Sequence, residues 1–160
     1  MRAMRRVLFA CALFALAVPA ATFAARGAEG DGTLVVRNGS GIVNVASKGT
    51  LIGSCDNCTV WIDDPTLGDG SGPIVTGFEG KRDLTDTKSR WSGTDVRFRL
   101  IGGFARTRVR GSGIDLYVVG KGSVTVQAWL TNVGTYAVDG GERRPLPFEP
   151  LSFQLGVKVD

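Results

Sequence analysis

The sequence predicts a single all-β domain, an antiparallel β-sandwich or flattened barrel of about ten short strands. Apolar and polar residues alternate along much of the chain, which is typical of half-buried strands. The 23 glycines fall between these runs, where turns are needed, and form no tract. No stretch beyond the first 24 residues shows the period of an amphipathic helix. Regularly spaced glycine turns also suit stacked coils, so a short β-helix is the alternative fold.

Residues 1–24 have the pattern of a secretory signal peptide. Arginines come first, an apolar run follows, and small residues precede the expected cleavage after Ala24. Residues 25–32 then form a polar lead-in, and 33–160 form the domain. We therefore expect a protein that is secreted or held in the cell envelope, without a transmembrane anchor after cleavage.

The charge balance depends on this leader. The full chain has 19 Lys and Arg side chains against 15 Asp and Glu, a net charge of +4. Arg2, Arg5 and Arg6 leave with the leader, so 16 basic side chains face 15 acidic ones. A domain so close to neutrality gives no reason to expect nucleic-acid binding.

The longest alternating stretch is 95–129, which reads as four strands joined by three glycine turns. Its first turn, Gly102-Gly103, is typical of a two-residue hairpin, because the favoured turns need positive φ angles. This hairpin would bury one face, with Phe98 opposite Thr107 and Val96 opposite Val109.

Four arginines fall on the other face of this predicted hairpin: Arg97, Arg99, Arg106 and Arg108. The hairpin would set them opposite each other in two pairs, although like charges opposite each other destabilise a sheet. Guanidinium groups bind carboxylate and phosphate oxygens, so one explanation is an anionic ligand. The other is a solvated face, with the arginines splayed or bridged by neighbouring acidic residues.

Two blocks of the sequence resemble each other, 36–51 and 109–124. The first contains VRNGSGI and KGTL, and the second contains VRGSGI and KGSV. The similarity predicts an internal duplication, either a repeated meander or two related sheets. Chance similarity between glycine turns is the alternative.

Cys55 and Cys58 are the cysteines that remain after cleavage, and they flank Asp56-Asn57. A two-residue turn there would hold them at a distance that a disulfide spans, and an exported protein meets oxidising conditions. A redox CxxC motif needs a βαβ setting, which the pattern lacks. Zinc needs about four ligands, and the chain has no histidine. We therefore expect a structural disulfide, with no metal ion and no other cofactor.

The lack of histidine also excludes Ser-His-Asp and Cys-His catalysis. Carboxylates in a turn-rich region leave open hydrolysis by an acid pair: Asp63, Asp64, Asp69 and Glu79. Acidic residues in such loops commonly serve turn geometry, so we assign no catalytic residue. Three tryptophans offer surfaces on which sugars stack, but they are dispersed, and each is expected in the core: Trp61, Trp91 and Trp129.

The motifs RFRLIGG at 97–103, RVRGSGIDL at 108–116 and VGKG at 119–122 resemble a group of exported bacterial proteins. The resemblance covers most of the chain beyond the leader. It implies an exported β domain and assigns no activity.

Together these features predict a non-enzymatic domain that binds an anionic cell-envelope polymer through Arg97, Arg99, Arg106 and Arg108. A secreted carbohydrate-active enzyme using the loop carboxylates is one alternative. A structural or assembly protein that offers exposed sheet edges to a partner is another.

Overall fold

A computed structural model describes residues 30–66, 70, 72–130 and 133–156. The predicted leader and Asp69 lie outside this part of the chain. Every regular element in the described residues is a β-strand. In chain order they are β1 (Gly32–Cys55), β2 (Asn57–Asp63), β3 (Ile74–Thr76), β4 (Gly80–Asp83), β5 (Lys88–Gly93), β6 (Val96–Ala128), β7 (Thr135–Val138), β8 (Arg144–Pro145) and β9 (Leu151–Leu155).

The nine strands form one antiparallel sheet in the order β4-β5-β2-β6-β1-β7-β8, with β3 and β9 also paired to β6. The all-β prediction is confirmed. The sheet does not close into a barrel and has a flattened, sandwich-like form. The alternative of a β-helix is wrong, because the coils of a β-helix stack in parallel and all strand pairs described here are antiparallel.

The centre of the sheet is a double pairing of β1 with β6. Val43 of β1 lies opposite Val109 on one side and Val126 on the other. The middle of β1 therefore runs between two limbs of β6, and each of these limbs carries further strands on its outer side. Most of the pairing is thus between residues far apart in the sequence.

The sheet folds over on itself along β6. Cys55 lies opposite Val96 and Cys58 lies opposite Gly111, yet the two cysteines are joined with their Cα atoms 6.0 Å apart. If β6 were straight, Val96 and Gly111 would be about 50 Å apart. Each cysteine lies about 5.5 Å from its partner on β6, and the two cysteines are 6.0 Å apart, so the Cα atoms of Val96 and Gly111 lie within about 17 Å of each other. The strand therefore turns back between these two residues.

The turning point is a β-bulge at Gly102-Gly103, and the predicted hairpin is wrong. Thr50 lies opposite Ile101, whereas Lys48 lies opposite Phe104, so β6 has one extra residue here. Both glycines have positive φ, 77° and 60°. A bulge uses such angles to bend a strand without reversing it. Its one extra residue shifts the alternation of faces, so that even-numbered residues such as Phe98 face inward before it and odd-numbered ones such as Val109 after it.

The two similar sequence blocks, 36–51 and 109–124, pair with each other around Lys48 and Lys121, which lie opposite each other. The same pairing occurs twice, with equivalent residues 73 positions apart. Val36 opposite Leu116 corresponds to Val109 opposite Val43, and Leu34 opposite Val118 corresponds to Thr107 opposite Val45. β1 and the second part of β6 thus have equivalent places in the sheet. The duplication itself stays a prediction.

A single apolar core fills the inside of the folded sheet. Residues from both sides of the fold contribute to it, including Phe98 from before the bulge and Val109 from after it. The inward faces predicted for these residues are confirmed. One polar side chain, Thr107, is buried among them at 3% exposure, and its hydroxyl has no hydrogen-bond partner among the described residues.

Candidate functional site

The four predicted arginines are all exposed, as the alternation of β6 requires, but they do not lie opposite one another. Arg97 and Arg99 precede the bulge, and Arg106 and Arg108 follow it. The first two line one surface concavity and the last two line another. The single four-arginine face is therefore wrong, because it depended on a hairpin that does not form.

Arg106 and Arg108 belong to an outer face built by β5, β2 and β6. Arg90 of β5 lies opposite Trp61 of β2, and Trp61 in turn lies opposite Arg108 of β6. The Trp61 side chain therefore lies between two exposed arginines whose Cα atoms are about 10 Å apart. We call the outer surface of Arg90, Trp61, Arg106, Arg108 and Arg110 the Trp61 face.

The aromatic rings of this region hold the β6 arginines. The guanidinium carbon of Arg108 lies 5.7 Å from the centroid of the Trp61 ring, and that of Arg110 lies 5.2 Å from the Trp129 ring. Such contacts orient a guanidinium group while leaving its N–H donors free for an anion. Both arginines thus keep their charge and most of their hydrogen-bonding capacity available.

Only part of this positive charge is neutralised by the protein. A nitrogen of Arg106 lies 3.8 Å from a carboxylate oxygen of Asp63, at the limit of an ion pair. No ion pair among the described residues includes Arg90, Arg108 or Arg110. The centre of the Trp61 face is therefore positively charged and without an internal counter-ion in the described part of the chain.

At the edge of the same face, Arg82 of β4 lies directly opposite Arg90. Like charges in this position repel each other across the strand pair. The nearest acid along β4, Asp83, alternates to the other side, where the Ser89 hydroxyl and the Lys81 ammonium group hold its pKa below the ordinary value. This carboxylate is ionised at neutral pH but does not offset the Arg82–Arg90 pair.

Trp61 forms a wall shared by two concavities of this face. The first has a volume of about 700 Å³ and is lined by Arg90, Arg110 and Trp129 among others. The second has a volume of about 450 Å³ and includes Arg106, Arg108 and uncharged polar residues of β1 and β6. A long ligand crossing Trp61 would meet arginines on both sides of it.

Arg97 and Arg99 lie in a different setting. Arg97 forms a two-point contact with Asp95, with nitrogen–oxygen distances of 3.1 and 3.2 Å. Arg99 lies between Ile52 and Ile74 in the sheet, which are 44% and 53% exposed. We call this surface the Arg99 face; it combines one neutralised arginine with exposed aliphatic side chains.

The described carboxylates of the predicted acid set are engaged in hydrogen bonds within the protein, and only that of Asp64 holds a turn. Asp64 is buried and accepts hydrogen bonds from the backbone N–H and the hydroxyl of Thr66. Asp63 accepts a hydrogen bond from Thr87, and Glu79 accepts one from Thr94. In the described ranges no three His, Cys, Asp or Glu side chains come together as a metal site.

The disulfide between Cys55 and Cys58 is present, and both cysteines are buried. The hairpin turn expected between them is not, because β1 and β2 pair with opposite ends of the folded limb of β6. Between them, the Asp56 carbonyl accepts a hydrogen bond from the Asp95 N–H, and the Asp56 N–H donates one to Ser112. The disulfide therefore fastens the point where the chain crosses the fold.

The prediction that all three tryptophans are core residues is confirmed only for Trp91, which is 6% exposed. Trp61 is half-buried on the outer face, and Trp129 is 41% exposed. Neither Trp61 nor Arg90 was expected at the site. Period-2 alternation around Val60 and Ile62 is the signal that places Trp61 on the outer face.

No protein-family model, no curated protein and no solved structure matches this chain. Across the residues that the structure describes, no helix has the length and apolar character needed to cross a bilayer. What can be inferred about function therefore depends on the surface chemistry of the sheet.

Proposed function

We propose that this chain is an exported, non-enzymatic β domain that binds an anionic polymer of the cell envelope through the Trp61 face. The observation that carries the proposal is the row formed by Arg90, Trp61 and Arg108, with two exposed arginines that have no described counter-ion. Guanidinium groups held in this way are suited to carboxylate or phosphate oxygens.

A polymer fits this face better than a small anion. The arginines are spread over two concavities that share Trp61, instead of converging on one enclosed pocket. Small-molecule sites are usually concave and bury most of the ligand. A chain with repeated negative charges would contact both concavities at once. Its second contact would form more readily, because the first contact raises the effective concentration of the chain there.

Export is supported by two features. The first is the leader pattern at 1–24, which lies outside the described residues. The second is the disulfide between Cys55 and Cys58, since such bonds persist mainly in oxidising compartments. Both favour a domain that meets envelope polymers after it leaves the cytoplasm.

The test is retention on purified cell envelope and on a dextran sulfate resin, with elution by a salt gradient. The double variant Arg90→Gln/Arg108→Gln is expected to elute at clearly lower salt than the wild type, because it lacks the central guanidinium groups. Arg97→Gln/Arg99→Gln is the matched control, since it removes the same charge from the Arg99 face and should elute nearly as the wild type does. Equal early elution of both variants, or no retention of the wild type at low salt, would contradict the proposal.

A further inference from the structure

The chemistry around Trp61 also indicates which polymer is bound. We infer that the ligand is a polysaccharide bearing carboxylate groups, with a sugar ring against Trp61 and carboxylates on Arg90 and Arg108. This inference rests on the proposed function, since it names the class of polymer bound at the same face. Two features of the face support it.

The first feature is the partly exposed indole at the centre of the row, which the Arg108 guanidinium contacts at 5.7 Å from its centroid. An aromatic ring on a sheet surface offers a flat apolar platform, and the C–H faces of a sugar ring pack against such a platform. A polyphosphate chain has no apolar surface to place there. Trp61 therefore favours a ligand that has both rings and charges.

The second feature is the number of uncharged polar groups in the two concavities. Asn57, Thr59, Ser92 and Thr94 line the first, and Asn44, Ser123 and Thr125 line the second. Hydroxyl and amide groups both donate and accept hydrogen bonds, as sugar hydroxyls do. A ligand recognised only by its negative charge would need no such partners.

Titration calorimetry at low salt tests the inference with four defined probes: an oligogalacturonate, its methyl ester, polyphosphate and oligothymidylate. The oligogalacturonate is expected to bind best, and the methyl ester at least about tenfold more weakly because it lacks the carboxylate charge. Equal or tighter binding of polyphosphate or oligothymidylate would overturn the inference while leaving the proposed function intact. If none of the polyanions binds, the proposed function itself fails.

Variants of the indole test the ring contact separately. Trp61→Ala should weaken oligogalacturonate binding by about tenfold, and Trp61→Phe, which keeps a ring, should stay within about threefold of the wild type. Tyr117→Ala is the control, since this tyrosine lines the concavity of the Arg99 face. A folded Trp61→Ala protein with unchanged affinity would overturn the inference. If that variant does not fold, the order of the affinities of the wild type for the four probes still tests the inference.

Discussion

Gly49 lies directly opposite Gly120 where the sheet folds, and the two backbones approach so closely that neither residue has room for a side chain. A Cβ atom at Gly49 would overlap the carbonyl oxygen of Val119, and one at Gly120 would overlap that of Lys48. Both glycines have positive φ, 147° and 151°. The pairing of β1 with β6 at this contact therefore depends on glycine in both positions.

We expect Gly49→Ala to lower the free energy of unfolding by about 2–4 kcal/mol, because it combines a steric overlap with a strained backbone. Urea denaturation followed by circular dichroism measures the change. Gly72→Ala is the matched control: a Cβ there would meet open space, so the expected change is within about 0.5 kcal/mol. Equal stability of the two variants would show that the close contact at Gly49 does not form.

The buried hydroxyl of Thr107 gives a prediction of the opposite sign. Thr107→Val keeps the shape of the side chain and removes a polar group that has no described partner, so we expect a gain of about 1 kcal/mol. Thr125→Val is the comparison, because the Thr125 hydroxyl lies 2.7 Å from that of Ser152 and its loss should destabilise slightly. A lower urea midpoint for Thr107→Val would mean that its hydroxyl is hydrogen-bonded in solution.

Removal of the disulfide should weaken the domain without unfolding it. The loop between Cys55 and Cys58 is short, and the chain-entropy relation gives about 2 kcal/mol for closing it. We expect dithiothreitol to lower the urea midpoint of the wild type to that of Cys55→Ala/Cys58→Ala. The double variant itself should not respond to dithiothreitol. A wild-type midpoint that stays constant after mass spectrometry confirms reduction would contradict this role.

The alternation of faces could be predicted from the sequence, but the pairing of the strands could not. Phe98 and Val109 are buried and the arginines of β6 are exposed, as a period of two requires. Gly102-Gly103 fits both a hairpin and a bulge, since both use positive φ angles. The choice between a hairpin and a bulge depends on the pairing of β1 and β3 on the two sides of Phe98. These contacts join residues distant in the sequence, so no local pattern shows them.

The candidate site was predicted in part for the same reason. Arg106 and Arg108 are recognisable within one alternating strand, whereas Arg90 and Trp61 reach the same row only through the pairing of β5 with β2 and of β2 with β6. A hairpin turn at Gly102-Gly103 would group Arg97 and Arg99 with Arg106 and Arg108, whereas the bulge separates the two pairs. The like charges expected across that turn occur instead between Arg82 and Arg90.

The most direct test of the Trp61 face is the response of the three indole N–H signals in a nitrogen–proton correlation spectrum during titration with an anionic polysaccharide. We expect the Trp61 signal to shift most and that of buried Trp91 to stay in place, with Trp129 moving less than Trp61. The backbone amides of Arg106 to Arg110 should move with Trp61. If the indole signals stay fixed while the amides around Arg97 and Arg99 shift, the ligand binds the Arg99 face and the assignment of the site to Trp61 is contradicted.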